Sequence, residues 1–198
     1  MIPVALQPEP ANFDAEVRQP GHAWLAARGI PLTAAPPTAS TLPPYWSATN
    51  KQLWDAYAGI CAYLAIFFEW PTGASSTDHF IAKSRSAGDA YEWANYRLAC
   101  LGANRAKGAF NDVMDPIGLP PDTFFLNLSN GHIRPMRGLP PAHARAAEKT
   151  IRRLKLDSEE NRRMRARHYS DYLRHNDPAT LKFYSPFVWY EASRQGLL

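Results

Sequence analysis

The chain has 198 residues, 20% of them charged and 45% hydrophobic, which is enough apolar material for a real core and too much for a disordered coil. The longest apolar run, Ile60 to Trp70, is broken by Glu69 and falls short of the roughly 18 residues that a membrane helix needs, so a membrane bundle is excluded. Two cysteines cannot form a disulfide framework, and Met1 to Pro8 lacks the basic and long apolar parts of a secretory signal, which points to a cytoplasmic protein with no membrane partner.

Charge is unevenly distributed. Lys and Arg exceed Asp and Glu by 4 over the chain; residues 1–100 carry 6 basic and 8 acidic side chains, residues 101–198 carry 16 and 10. The C-terminal half is therefore the part suited to an anionic partner.

Residues 1–46 hold nine of the 18 prolines, so the spacing predicts an extended arm, with at most one or two helical turns over His22 to Arg28 closed by Gly29. Ser47 is an N-cap candidate for a helix over about Ala48 to Ala58, with Leu53, Trp54, Tyr57 and Ala58 at helical spacing. Ile60 to Phe68 reads as buried strand or hairpin, followed by a turn at Pro71-Thr72-Gly73. Phe124 to Leu128 and His132 to Arg134 flank Asn130-Gly131 and read as a hairpin. Helices are expected over Ala142 to about Leu156, from Asp157 or Ser158 to about His175, and from Pro178, capped by Asp177. The aromatic tail, Phe183 to Tyr190, is expected to pack on the main body. These elements divide into a Pro-rich arm (1–45), a central domain (46–137) and a basic helical extension (138–198), an α+β architecture.

Between Arg145 and Arg174 ten basic side chains face five acids, a density that suits phosphates. The same charges also fit a solvated helix face with i,i+4 pairs such as Glu148/Arg152 and Glu159/Arg163.

The chemistry concentrates in Ser76-Thr77-Asp78-His79-Phe80-Ile81-Ala82-Lys83 and in Tyr91-Glu92-Trp93-Ala94-Asn95, continuing through Cys100-Leu101-Gly102-Ala103-Asn104-Arg105-Ala106-Lys107-Gly108. Asp78 offers a carboxylate and Asn104 a carbonyl oxygen, hard donors that suit Mg²⁺ or Mn²⁺ better than zinc. His79 is the natural general base. In extended backbone Asp78 and His79 point to opposite sides, so one can hold a cation while the other meets water. Trp93 reads as core. His132, His168 and His175 read as non-catalytic.

These residues resemble the HNH (ββα-metal) endonucleases, specifically a branch with Asp-His in the first strand, Trp-x-Asn, and a Cys-x-x-x-Asn-x-x-Lys-Gly helix. The resemblance runs from about Tyr45 to Pro135, near half the chain. It implies a ββα-metal core in which Asp78 and Asn104 bind one Mg²⁺ or Mn²⁺, His79 activates water and Asn95 steadies the metal loop. Many relatives also carry two Cys-x-x-Cys knuckles. Here these read Cys61-Ala62-Tyr63-Leu64 and Cys100-Leu101-Gly102-Ala103, so no structural zinc is expected and both cysteines should act as small buried hydrophobes. The expected activity is hydrolysis of DNA, double-stranded in the first instance, leaving 5′-phosphate ends. Lys83, Arg97, Arg105, Lys107, Arg152, Arg153, Arg163 and Arg167 are the candidate phosphate contacts. Similarity to small HNH nucleases of bacterial antiphage and retron cassettes of the Septu type implies an ATPase partner. The competing expectation is a catalytically silent subunit that binds nucleic acid or scaffolds such a complex.

Overall fold

The computed structural model describes all residues, 1–198. It is an α+β fold with helices α1 (Gln19–Ala26), α2 (Asn50–Ala56), α3 (Leu101–Lys107), α4 (Pro141–Arg153), α5 (Glu159–His175), α6 (Pro178–Tyr184) and α7 (Pro186–Arg194). The strands are β1 (Ser75–His79), β2 (Tyr96–Cys100), β3 (Phe124–Leu126) and β4 (Ile133–Pro135), forming two antiparallel pairs, β1 with β2 and β3 with β4. No helix is long and apolar enough to cross a membrane.

Contacts group the chain into two units, each assembled from separate stretches of sequence. One comprises residues 6–59 and 69–111, the other residues 1–5, 60–68 and 112–198.

In the first unit the proline-rich region is not an extended arm. A π-helical turn, Asp14–Arg18, runs directly into α1, with Phe13, Val17 and Leu25 all fully buried. These positions share one face of a helix, and Gly21 completes the stripe; a Cβ there would meet the Tyr91 ring at 2.2 Å, so only glycine permits this approach. Three buried apolar side chains at about 1.5–3 kcal/mol each outweigh the ~3 kcal/mol that a proline costs inside a helix. Pro20 lies where the π-helical turn passes into α1. Phe13 meets Trp93 and Tyr96 edge-on at 5.5 and 5.6 Å. Trp93 is core, as its pattern suggests, and its Nε1–H donates to Gln7 O at 2.8 Å.

α2 begins at Asn50, later than expected, because Tyr45–Thr49 is a 3₁₀ turn and Thr49 occupies the cap. β1 pairs with β2 in the register Ser75↔Cys100, Asp78↔Arg97 and His79↔Tyr96. α3 follows β2 without a loop and ends at Gly108, whose φ of +50° stops the helix.

In the second unit Cys61 to Ala65 is buried while Ile60 and Ile66 to Phe68 are half-buried, and the segment forms no strand. A single bridge, Ile60↔Phe67, and the bond from Cys61 N to Ile66 O close a tight turn, with Ala65 at φ +49°. β3 and β4 pair in the register Leu126↔Ile133, around a loop longer than the two residues of the tightest hairpins. Gly131 has φ +69°, and a Cβ on it would lie 2.0 Å from Arg162 O. This close approach lets Arg165, 2% exposed, donate to Gly131 O at 2.7 Å and to Leu156 O at 2.8 Å. α5 is capped by Ser158, which accepts from Asn161 N, and ends at Asn176 in the left-handed region. The aromatic tail is two helices, α6 and α7. Phe187 and Val188 of α7 are buried, and the buried Glu191 carboxylate accepts from Leu126 N of β3 at 2.9 Å.

Candidate active site

Chain order in the first unit is strand, strand, helix: β1, β2, then α3. Asp78 and His79 end β1, Asn95 precedes β2 and Asn104 lies in the middle of α3. Asp78, His79, Lys83 and Asn104 line one cleft of about 300 Å³, together with Thr77, Ala82 and Gly108.

Asp78 and His79 engage opposite surroundings, as alternation along a strand dictates. Asp78 is 3% exposed and its Oδ1 lies 3.4 Å from the ammonium of Lys107 on α3. The His79 ring sits edge-on to Trp46 and Tyr96, with centroids 4.8 and 5.1 Å away. Its Nε2 is 3.1 Å from Ala90 O. A carbonyl only accepts, so Nε2 carries the hydrogen and Nδ1 keeps its lone pair. The Tyr96 hydroxyl donates to the same carbonyl at 2.8 Å, which fixes the oxygen against which the ring is oriented. Burial, aided by the charge of Lys83, pushes the His79 pKa down to about 3. The imidazole is therefore neutral at physiological pH, and its lone pair is only weakly basic in this environment.

Asn95, buried and next to the cleft, clasps the loop after β1. Ile81 N donates to its Oδ1 at 2.7 Å, while its Nδ2 donates to Ile81 O at 3.0 Å and Asp89 O at 2.8 Å. Asn111 Oδ1 adds a second clasp on Ala82 N at 2.9 Å. Asn104 Nδ2 donates to Ser76 Oγ at 3.1 Å and Thr77 O at 3.4 Å. Those bonds orient the carboxamide, and Oδ1 is the atom left to act as a ligand.

Asp78 and Asn104 Oδ1 are the residues on this cleft that could hold a hard cation such as Mg²⁺ or Mn²⁺. Cys61 is fully buried in the second unit and Cys100 half-buried at the end of β2, and neither forms a disulfide.

The candidate phosphate contacts separate into three groups. Lys83 borders the cleft with its ammonium 4.2 Å from the Trp46 ring; burial lowers its pKa against the opposing pull of Asp78. Arg105, Arg152, Arg163 and Arg167 are exposed, although Arg163 pairs with Glu159 and Arg153 lies 3.4 Å from Asp112. Arg97 and Lys107 are withdrawn from solvent, at 4% and 0% exposure. Arg97 Nη1 donates to Ala94 O and Tyr96 O at 2.7 and 2.8 Å. Lys107 Nζ donates to His79 O at 2.7 Å and Phe80 O at 2.9 Å. Both hold the backbone of the site instead of offering a surface charge. Sequence reasoning passed over Trp46, Asn111 and the Ala90 carbonyl. Nothing in their spacing marks them, because each reaches the site through the fold of a loop.

No protein-family model matches the chain, and no curated protein matches it.

Proposed function

We propose that the chain is a metal-dependent endonuclease of the HNH type that hydrolyses DNA phosphodiester bonds. The observation that supports this best is the His79 tautomer: Ala90 O holds the Nε2 hydrogen at 3.1 Å, which leaves Nδ1 as the base on a cleft shared with Asp78 and Asn104. In this reading Nδ1 takes a proton from a water whose oxygen attacks phosphorus, the bond to the 3′ oxygen breaks, and that oxygen takes a proton from solvent to give a 3′-hydroxyl beside the 5′-phosphate. Asp78 and Asn104 Oδ1 would hold a divalent cation, whose chemistry is to neutralise charge on the phosphate and the departing oxygen. Asn95 and Lys107 keep the loop after β1 and the main chain of His79 and Phe80 fixed, so the base meets its water without reorganisation. Lys83 and Arg105 meet phosphate near the cleft, and Arg152 and Arg167, exposed on α4 and α5, add affinity without sequence choice. The likeness to nucleases of antiphage cassettes adds an ATPase partner to the reading.

One observation favours a second reading, that of a silent nucleic-acid-binding or scaffolding subunit. The Lys107 ammonium, 3.4 Å from Asp78, already balances the carboxylate that a cation would use. Supercoiled plasmid incubated with the purified protein in Mg²⁺, Mn²⁺ or EDTA separates the two. Relaxed or linear DNA with 5′-phosphate ends, formed with either cation and absent in EDTA, is the expected result. Plasmid that is bound yet uncut in every condition supports the silent subunit.

A further inference from the structure

The cleft of the candidate active site is short of negative charge for a divalent cation. Among its lining side chains Asp78 is the one acid and Lys83 the one ammonium, with His79 neutral. Lys107 adds a second ammonium, 3.4 Å from Asp78 Oδ1. One carboxylate therefore faces two ammonium groups, and Asn104, the other candidate ligand, carries no charge.

The two lysines are placed by different means. Lys107 is fully buried, and its Nζ donates to His79 O at 2.7 Å and to Phe80 O at 2.9 Å. Its separation from Asp78 Oδ1, 3.4 Å, exceeds the roughly 2.7–2.9 Å of a charge-assisted bond. The main chain, more than Asp78, thus fixes this ammonium, and it stays beside the carboxylate when another group approaches from the cleft. Lys83 is half-buried, with its ammonium 4.2 Å from the centre of the Trp46 ring, an arrangement that holds a cation against an aromatic face. Both charges reach the site: Lys83 and Lys107 each act to lower the His79 pKa, and Asp78 acts to raise that of Lys83. Two positive charges beside one negative leave a surplus that opposes a divalent cation and draws in an anion. A phosphate group in the cleft reverses that balance.

We propose that Lys83 and Lys107 keep a divalent cation out of this cleft until a phosphate group enters with it, so that cation and DNA bind as a pair. This rests on the nuclease reading and adds to it a coupling between its two ligands, each of which raises the affinity of the other. The lysines then act on the cation through charge, beyond their part in holding the loop and bordering the cleft.

Electron paramagnetic resonance of Mn²⁺ with the full chain tests this, with Mn²⁺ alone and with Mn²⁺ plus a short DNA duplex. All chains carry His79→Gln, which keeps the DNA intact, and adding Asp78→Asn measures the Mn²⁺ that the duplex itself holds. With that part subtracted, Mn²⁺ is expected to bind at least tenfold tighter with the duplex than without it. Without DNA, Lys83→Met and Lys107→Met should each bind Mn²⁺ at least fivefold tighter than the parent, and Asp78→Asn should cancel the gain. A lysine that only held the fold together would loosen cation binding on removal. If Lys107→Met does not fold, Lys83→Met decides the matter, since its side chain is half-buried. Equal affinity with and without the duplex overturns the proposal, as does either folded lysine variant binding Mn²⁺ no tighter than the parent; in both cases the nuclease reading stands. If no chain holds more Mn²⁺ than its Asp78→Asn control under any condition, the proposal and the metal site of the nuclease reading fall together.

Discussion

Replacing Lys107 by methionine is expected to lower stability by about 3–5 kcal/mol, the cost of leaving one member of a buried ion pair without its partner. Lys107 is fully buried and serves three acceptors at once: Asp78 Oδ1 at 3.4 Å, His79 O at 2.7 Å and Phe80 O at 2.9 Å. Methionine matches the length and apolar stem of the lysine, so the core suffers little loss of packing. What remains is a carboxylate and two carbonyls facing an apolar sulfur. At 2–4 °C per kcal/mol for a chain of this size, thermal denaturation should show a fall of about 10 °C. Lys107→Arg should not restore it, because a planar fork does not match three acceptors gathered round one ammonium. A melting temperature within 2 °C of wild type, on the order of 1 kcal/mol or less, would mean that the three contacts carry little energy.

Asn95→Ala should cost about 2–4 kcal/mol, since three hydrogen bonds are lost and the buried backbone groups of the loop are left unpaired. The loss concerns the clasp between Ile81 and Asp89, so the effect on the site should exceed the effect on the fold. Asn95→Asp separates the parts of that clasp. It keeps an oxygen for Ile81 N but sets a carboxylate oxygen against Ile81 O and Asp89 O, where Nδ2 donated. Hydrogen exchange of the amides of residues 80–95 is the direct measurement. Faster exchange in that loop is expected in Asn95→Ala and at least as much in Asn95→Asp; unchanged exchange in both would remove Asn95 from the role of loop fastener.

What could be read from the sequence depended on how local the cause was. Ser158, Asp177 and the strand pairing around Gly131 follow from capping and turn chemistry within a few residues, and the structure has them. Asp78 and His79 fall in a strand, but no local spacing marks β2 or α3. The helical turns expected from His22 are present, but their extension back to Asp14 was hidden because Pro20 and its neighbours mask a stripe at Phe13, Val17 and Leu25 that matters only once Tyr91 packs against Gly21. Ile60 to Phe68 reads as strand or hairpin, and of the two the structure has only the turn of a hairpin, closed by one antiparallel bridge between Ile60 and Phe67. Arg97 and Lys107 looked like surface charges because charge alone does not tell a solvated cation from one held by buried carbonyls. The interleaving of the two units rests on long-range contacts with no local signature.

The most direct measurement of the central claim is the rate of plasmid cleavage in Mn²⁺ by wild type, His79→Ala and His79→Gln side by side, with melting temperature and DNA retardation recorded for each. Loss of a general base removes about 10²–10⁴-fold of rate, and both variants are expected to fall in that range while DNA binding holds. Glutamine retains a donor for Ala90 O but supplies no proton acceptor in place of Nδ1, so it should fail as alanine does even where it restores stability. Cleavage by either variant within tenfold of a wild type that itself cuts would contradict the assignment of His79 as the base.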